Sequence, residues 1–197
     1  MLCALTCAFA APARAGDWLF TPFIGTTFGA DTNFVPPNSG VGVRKTTIGG
    51  SGGFLTSGII GAEASATYSF GFFTSAPNAF GPASTTQHTA LSTLMGDALF
   101  AVPVSVTHES LRPYAVLGAG MMHATSQDLI SFQPITRTIA AMDVGGGAIG
   151  FVNRRAGVRF DLRRFRSLER DAATLTPNSG GSRLTFWRLS VGVVVRY

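Results

Sequence analysis

Apolar and polar residues alternate with a period of two along most of this chain, and no apolar run reaches the ~18 residues that a membrane-crossing helix requires. The last segment shows the pattern most cleanly. Trp187, Leu189, Val191, Val193, Val195 and Tyr197 fall on one face, and Arg188, Ser190, Gly192 and Arg196 on the other. Successive side chains of a strand point to opposite sides, so this pattern predicts a two-faced sheet and excludes a helical bundle.

Seven earlier segments repeat it: Trp18–Gly29, Thr46–Phe54, Ile60–Phe70, Leu91–Val102, Arg112–Thr125, Thr138–Val152 and Gly157–Phe165. Eight strands of ~9–13 residues suit a tilted crossing of a bilayer. The connections are sorted. Leu55–Gly58, Pro103–Leu111 and Asn153–Ala156 are short, whereas Ala30–Val43, Gly71–Thr89, Ser126–Arg137 and Ser167–Ser182 are long and rich in Pro, Asn, Ser, Thr and Gly. Short turns at one end and long loops at the other are the asymmetry of a transmembrane barrel, and an even strand number returns both termini to one end. One domain, residues 16–197, is expected.

Alternation alone does not say which face meets the solvent. Charged residues make up only 13% of the chain. Glu63, Asp97, Asp143, Arg159, Asp161, Arg163, Arg188 and Arg196 all lie opposite the apolar faces. Gathered inside a narrow barrel these opposite charges can pair, the condition for burying them. The chain's 24 glycines suit a lumen too narrow for a full set of large side chains. The aromatics Trp18, Phe20, Phe28, Tyr68, Phe70, Phe100, Tyr114, Trp187 and Tyr197 lie mostly near strand ends, as two interfacial girdles would. The expected architecture is therefore an all-β, eight-stranded, antiparallel up-and-down transmembrane barrel with its charges inside. Pro22 and Pro113 are expected at strand starts or bulges.

Residues 1–15 read as a secretory signal peptide, with an apolar stretch from Leu2 to Ala11, then Pro12 and the small-x-small triplet Ala13-Arg14-Ala15. Both cysteines, Cys3 and Cys7, lie within it, so no disulfide or thiolate metal site is expected in the mature chain. The net charge is +5 without a basic tail or Lys-rich patch, which argues against nucleic-acid binding.

The order of Trp18–Gly29 (W-x-F-x-P-F-I-G-x-x-F-G), Ile59–Glu63, Leu94–Asp97, Arg112–Gly120, Asp143–Phe151, Gly157–Leu168 and Phe186–Gly192 resembles the small outer-membrane-protein β-barrel domain family, related to OmpA-like and OmpX-like barrels. The resemblance covers nearly all of the mature chain. It implies an eight-stranded barrel in the cell outer membrane with periplasmic termini. It also implies recognition of the last strand, ending in Tyr197, by the outer-membrane assembly machinery. It carries no shared enzymatic activity. Asp97 stands where Asn is more usual in that pattern, which alters lumen charge.

No catalytic, cofactor or metal site is expected. Arg159-x-Asp161-x-Arg163 reads as structural neutralisation within a lumen cluster of Glu63, Asp97, Asp143 and Arg188, with an ion-gating role as the sharper alternative. His108-x-Ser110 has the residue types of a base and nucleophile, but lies in a short link opposite the long loops and reads as a polar turn. His88 and His123 stand alone. Gly49–Gly53 and Gly145–Gly147 lead into no Lys-Ser/Thr helix and are not phosphate loops. Met121-Met122 reads as lipid-facing packing. The expected role is structural or adhesive, as a monomer among outer-membrane lipids. The alternatives are a lipid-modifying barrel enzyme, a narrow pore and a soluble lipocalin-like binder.

Overall fold

A computed structural model of the chain describes residues 16–32, 44–72, 89–107, 111–126, 135–168 and 184–197. The signal peptide, His88 and the His108-x-Ser110 pair lie outside them. Eight strands form a closed antiparallel barrel in chain order: β1 (Asp17–Thr32), β2 (Lys45–Leu55), β3 (Ile60–Phe70), β4 (Thr89–Ala101), β5 (Leu111–Ser126), β6 (Ile135–Phe151), β7 (Ala156–Ser167) and β8 (Leu184–Arg196). β1 pairs with both β2 and β8, Ile24 facing Ile48 on one side and Val191 on the other, which closes the sheet and leaves no free edge.

The alternation is realised as predicted, and β3 is exposed and buried by strict turns from Ile60 to Phe70. Ile24, Leu94, Leu117, Val144, Phe160, Leu189 and Val193 all point outward and exposed. At the short-turn end the outer wall carries Trp18, Phe20, Phe100 and Tyr197, and at the other end Phe28, Tyr68, Phe70 and Trp187.

Several strands run beyond the alternating segments. β1 continues to Thr32 because a bulge between Phe28 and Asp31, with Gly29 at φ 59°, adds a residue and resets the faces. Pro113 lies at the start of β5, third in the strand, whereas Pro22 lies within β1. The pairing of β1 with β8 is interrupted between Phe20 and Phe23, where Pro22 has no N–H to give the ladder, and resumes in the same register. Met121 faces outward as expected, whereas Met122 is fully buried inside, because adjacent residues must take opposite faces.

The short turns are fastened locally. Asn153 Oδ1 accepts from the backbone N–H groups of Arg155 (2.9 Å) and Ala156 (2.7 Å). The Pro103–Leu111 link contains a four-residue helix, α1 (Val104–Thr107). Arg112, buried at this end, donates from Nε to Val102 O and from Nη2 to the carbonyls of Thr56 and Gly58, tying two short turns together. The start of β1 and the end of β8 meet here too: Tyr197 N–H donates to Trp18 O at 3.0 Å.

Candidate functional site

The register assembles the charge cluster. Glu63 on β3 faces Asp97 on β4, Asp97 faces Gly118 on β5, and Gly118 faces Asp143 on β6. Three carboxylates thus share one lateral row, with the side-chain-free Gly118 between two of them. β7, the neighbour of β6, supplies the cations. Arg159, Asp161 and Arg163 alternate inward at i, i+2 and i+4, all buried.

Arg163 is the hub. Its Nη1 donates to Asp97 Oδ2 (2.6 Å) and Asp143 Oδ2 (3.1 Å), its Nη2 to Glu63 Oε1 (2.7 Å), and its Nε to Asp161 Oδ1 (2.9 Å). One guanidinium thereby contacts all four acids, a use of its planar donor set that a lysine cannot reproduce. Arg159 forms a two-pronged pair with Glu63 and reaches Asp161 at 2.8 Å.

Tyr114 belongs to this cluster and not to an interfacial girdle, a correction to the sequence expectation. Its hydroxyl donates to Asp161 Oδ2 and accepts from Arg159 Nε, both at 2.7 Å. The signal for it was parity: Tyr114 shares the inward face of β5 with Arg112, Val116 and Gly118. A Cβ on Gly147 would collide with its ring and hydroxyl, so that glycine makes its berth. Tyr114→Phe is expected to lower stability by about 1 kcal/mol, the worth of a hydrogen bond whose acceptor keeps other donors. An unchanged urea midpoint in refolded vesicle samples would contradict this role.

Arg188 and Arg196 behave differently from the rest. Arg188 is buried opposite Arg163 but makes no ion pair with the described residues. Its guanidinium lies 4.6 Å from the Phe165 ring centre and 5.2 Å from that of Phe23, a cation–π sandwich, while Nε and Nη1 have no hydrogen-bond partner among the described residues. Beside it lies a cavity of about 10 Å³, room for roughly one water molecule. Arg196 lies at the rim of the barrel, donating to Arg154 O and meeting Asp17 at 3.4 Å. It has the predicted face but lies too far along β8 to join the cluster.

Apolar layers lie on both sides of the ionic one. Along β4 the inward order is Leu91, Thr93, Met95, then Asp97, then Leu99 and Ala101, and β5, β6 and β8 carry Met122, Ile139 and Phe186 at one end and Val116, Ile149 and Val194 at the other. The lumen is therefore less polar than the alternation suggested. A small barrel must fill its interior with side chains, and large apolar ones fill it where no charge needs a partner.

His123 points outward, its Nδ1 hydrogen-bonded with Thr138 Oγ1 at 2.8 Å. Among the described residues no three His, Cys, Asp or Glu side chains are grouped to hold a metal. The chemistry of the site is charge neutralisation, with four carboxylates against three arginines.

No family model and no curated protein matches the chain. Solved structures do. The Neisserial surface protein A structure matches with a TM-score of 0.62 at 12% identity, over 92% of this chain and 97% of that one. Outer membrane protein OprG from Pseudomonas aeruginosa gives 0.53 at 12% identity, covering 93% and 97%. Ail, the attachment invasion locus protein of Yersinia pestis, gives 0.51 at 12% identity, covering 93% and 99%. The fold is that of the small eight-stranded outer-membrane β-barrels.

Proposed function

We propose that the chain is an integral outer-membrane barrel protein with a structural or surface-contact role and no enzymatic activity, its long connections facing outward and both termini periplasmic. The observation that carries this reading is the inversion of the soluble pattern. The exposed outer wall is largely apolar between two aromatic girdles, while Glu63, Asp97, Asp143, Arg159, Asp161 and Arg163 pair with one another inside. Such a wall in water would be an apolar patch far larger than a soluble monomer exposes, which argues against a lipocalin-like binder. The three neighbours support the membrane setting, and two of them carry surface or attachment in their names. Tyr197 would present the terminal aromatic to the assembly machinery, and outer-membrane lipids would cover the wall.

The apolar layers above and below the ion cluster support a plug in place of a pore. The chain should fractionate with outer membranes and migrate differently on a gel unboiled and boiled. In planar bilayers the folded protein should show no conductance above the lipid background. Recovery in a detergent-free soluble fraction would overturn the membrane reading, and steady single-channel currents would overturn the plug.

A further inference from the structure

The outer wall is not uniformly apolar. Among the strand residues with described side chains, the outward positions carry two cations, Arg164 and Arg166, adjacent on one face of β7 and both exposed. Both lie near the end of β7 that leads into a long connection. Arg164 faces Trp187 in the register, and Trp187 faces Phe28, so the first cation stands level with the aromatic girdle. Its guanidinium lies 5.6 Å from the Trp187 ring centre, which orients it across the wall. Asp31, an exposed carboxylate, shares the next lateral row with Arg166 through Thr185, and no ion pair joins them among the described residues.

Directly below this pair, toward the middle of the wall, Ile24, Gly25, Thr26, Phe160, Leu189 and Val191 line an apolar groove of about 390 Å³. A guanidinium is costly in the hydrocarbon interior and tolerated at the interface, where phosphates lie. Two arginines at i and i+2 on one strand face can supply guanidiniums to the oxygens of a phosphate monoester, and the fork geometry permits paired hydrogen bonds. The groove beneath has the chemistry and direction of a hydrocarbon chain descending from that headgroup.

We propose that Arg164 and Arg166 form a binding site for a lipid bearing a phosphate monoester, with Trp187 beside the headgroup and one acyl chain in the groove of Ile24, Phe160, Leu189 and Val191. The proposal rests on the membrane reading above. It is tested with the full chain carrying Trp18→Phe, so that Trp187 is the fluorophore. The chain is refolded into phosphatidylcholine vesicles doped with brominated phosphatidic acid or with brominated phosphatidylcholine of the same chains. Quenching of Trp187 should favour phosphatidic acid by about fivefold or more in apparent association, and Arg164→Gln with Arg166→Gln should abolish that preference. Millimolar inorganic phosphate should leave it unchanged.

Equal quenching by the two lipids, a preference that survives the double substitution, or its loss on adding free phosphate would each overturn the site. Native mass spectrometry of the unsubstituted chain, counting retained phosphatidic acid, gives the same comparison should the Trp18→Phe protein fail to fold. Failure of the unsubstituted chain to show heat-modifiable insertion into phosphatidylcholine alone would instead sink the membrane reading.

Discussion

Arg163→Met should be among the most damaging single substitutions in the barrel, lowering stability by roughly 3–5 kcal/mol. The unfolded fraction in vesicles would rise at urea concentrations where the unsubstituted chain remains fully folded. Arg163 contacts Glu63, Asp97, Asp143 and Asp161. Without it, four buried carboxylates face Arg159 and the unpaired Arg188. Breaking a buried pair costs far more than its net worth, because the abandoned charges remain desolvated. Two comparisons make the expectation specific. Arg188→Met removes a cation without an ion pair and should be milder, since the loss is chiefly of its contacts with Phe23 and Phe165. Asp97→Asn should also be milder, because Asp97 Oδ1 has no partner among the described residues and the acids of the cluster exceed its arginines by one. An Arg163→Met midpoint equal to that of either comparison would show that the cluster does not depend on its hub.

Much of this was legible from residue order, for a physical reason. A wall with lipid on one side and a narrow lumen on the other imposes period two on each strand, and charges have no place on the lipid side between the two interfaces. Glu63, Asp97, Asp143, Arg159, Asp161 and Arg163 could therefore be grouped by face alone. What a face does not give is height along the barrel. Arg188 and Arg196 share a face of β8, yet one sits between two phenylalanines and the other at the rim beside Asp17. Tyr114 was misplaced for a related reason. An amphipathic ring near a strand end suits an interface, and only its parity with Arg112 and Val116 put it inside. The inner apolar layers were hidden because Leu91, Met95 and Leu99 share the face of Asp97, and the charges on that face drew the reading to its polar members.

Lateral register is the least legible quantity, and it fixes the second large effect. Gly118 looks like one more small residue in Arg112–Gly120, but the pairing sets it between Asp97 and Asp143. A Cβ there would overlap the Oδ1 atoms of both carboxylates. Neither carboxylate can simply turn away, since the other oxygen of each is held by Arg163 Nη1. Gly118→Ala should therefore cost about 1–3 kcal/mol from crowding alone, and Gly118→Val more, as the ion pairs give way. The cause is separable from the ordinary effect of altering a strand glycine. Asp97→Ala vacates one of the two occupied volumes, so in the Gly118→Ala background it should restore part of the lost stability, with a coupling of about 0.5–3 kcal/mol between the sites. The two substitutions should be measured singly and together by urea unfolding in vesicles. Strict additivity would mean that the space above Gly118 is not what seats the acid pair, and the steric account of the cluster would fall with it.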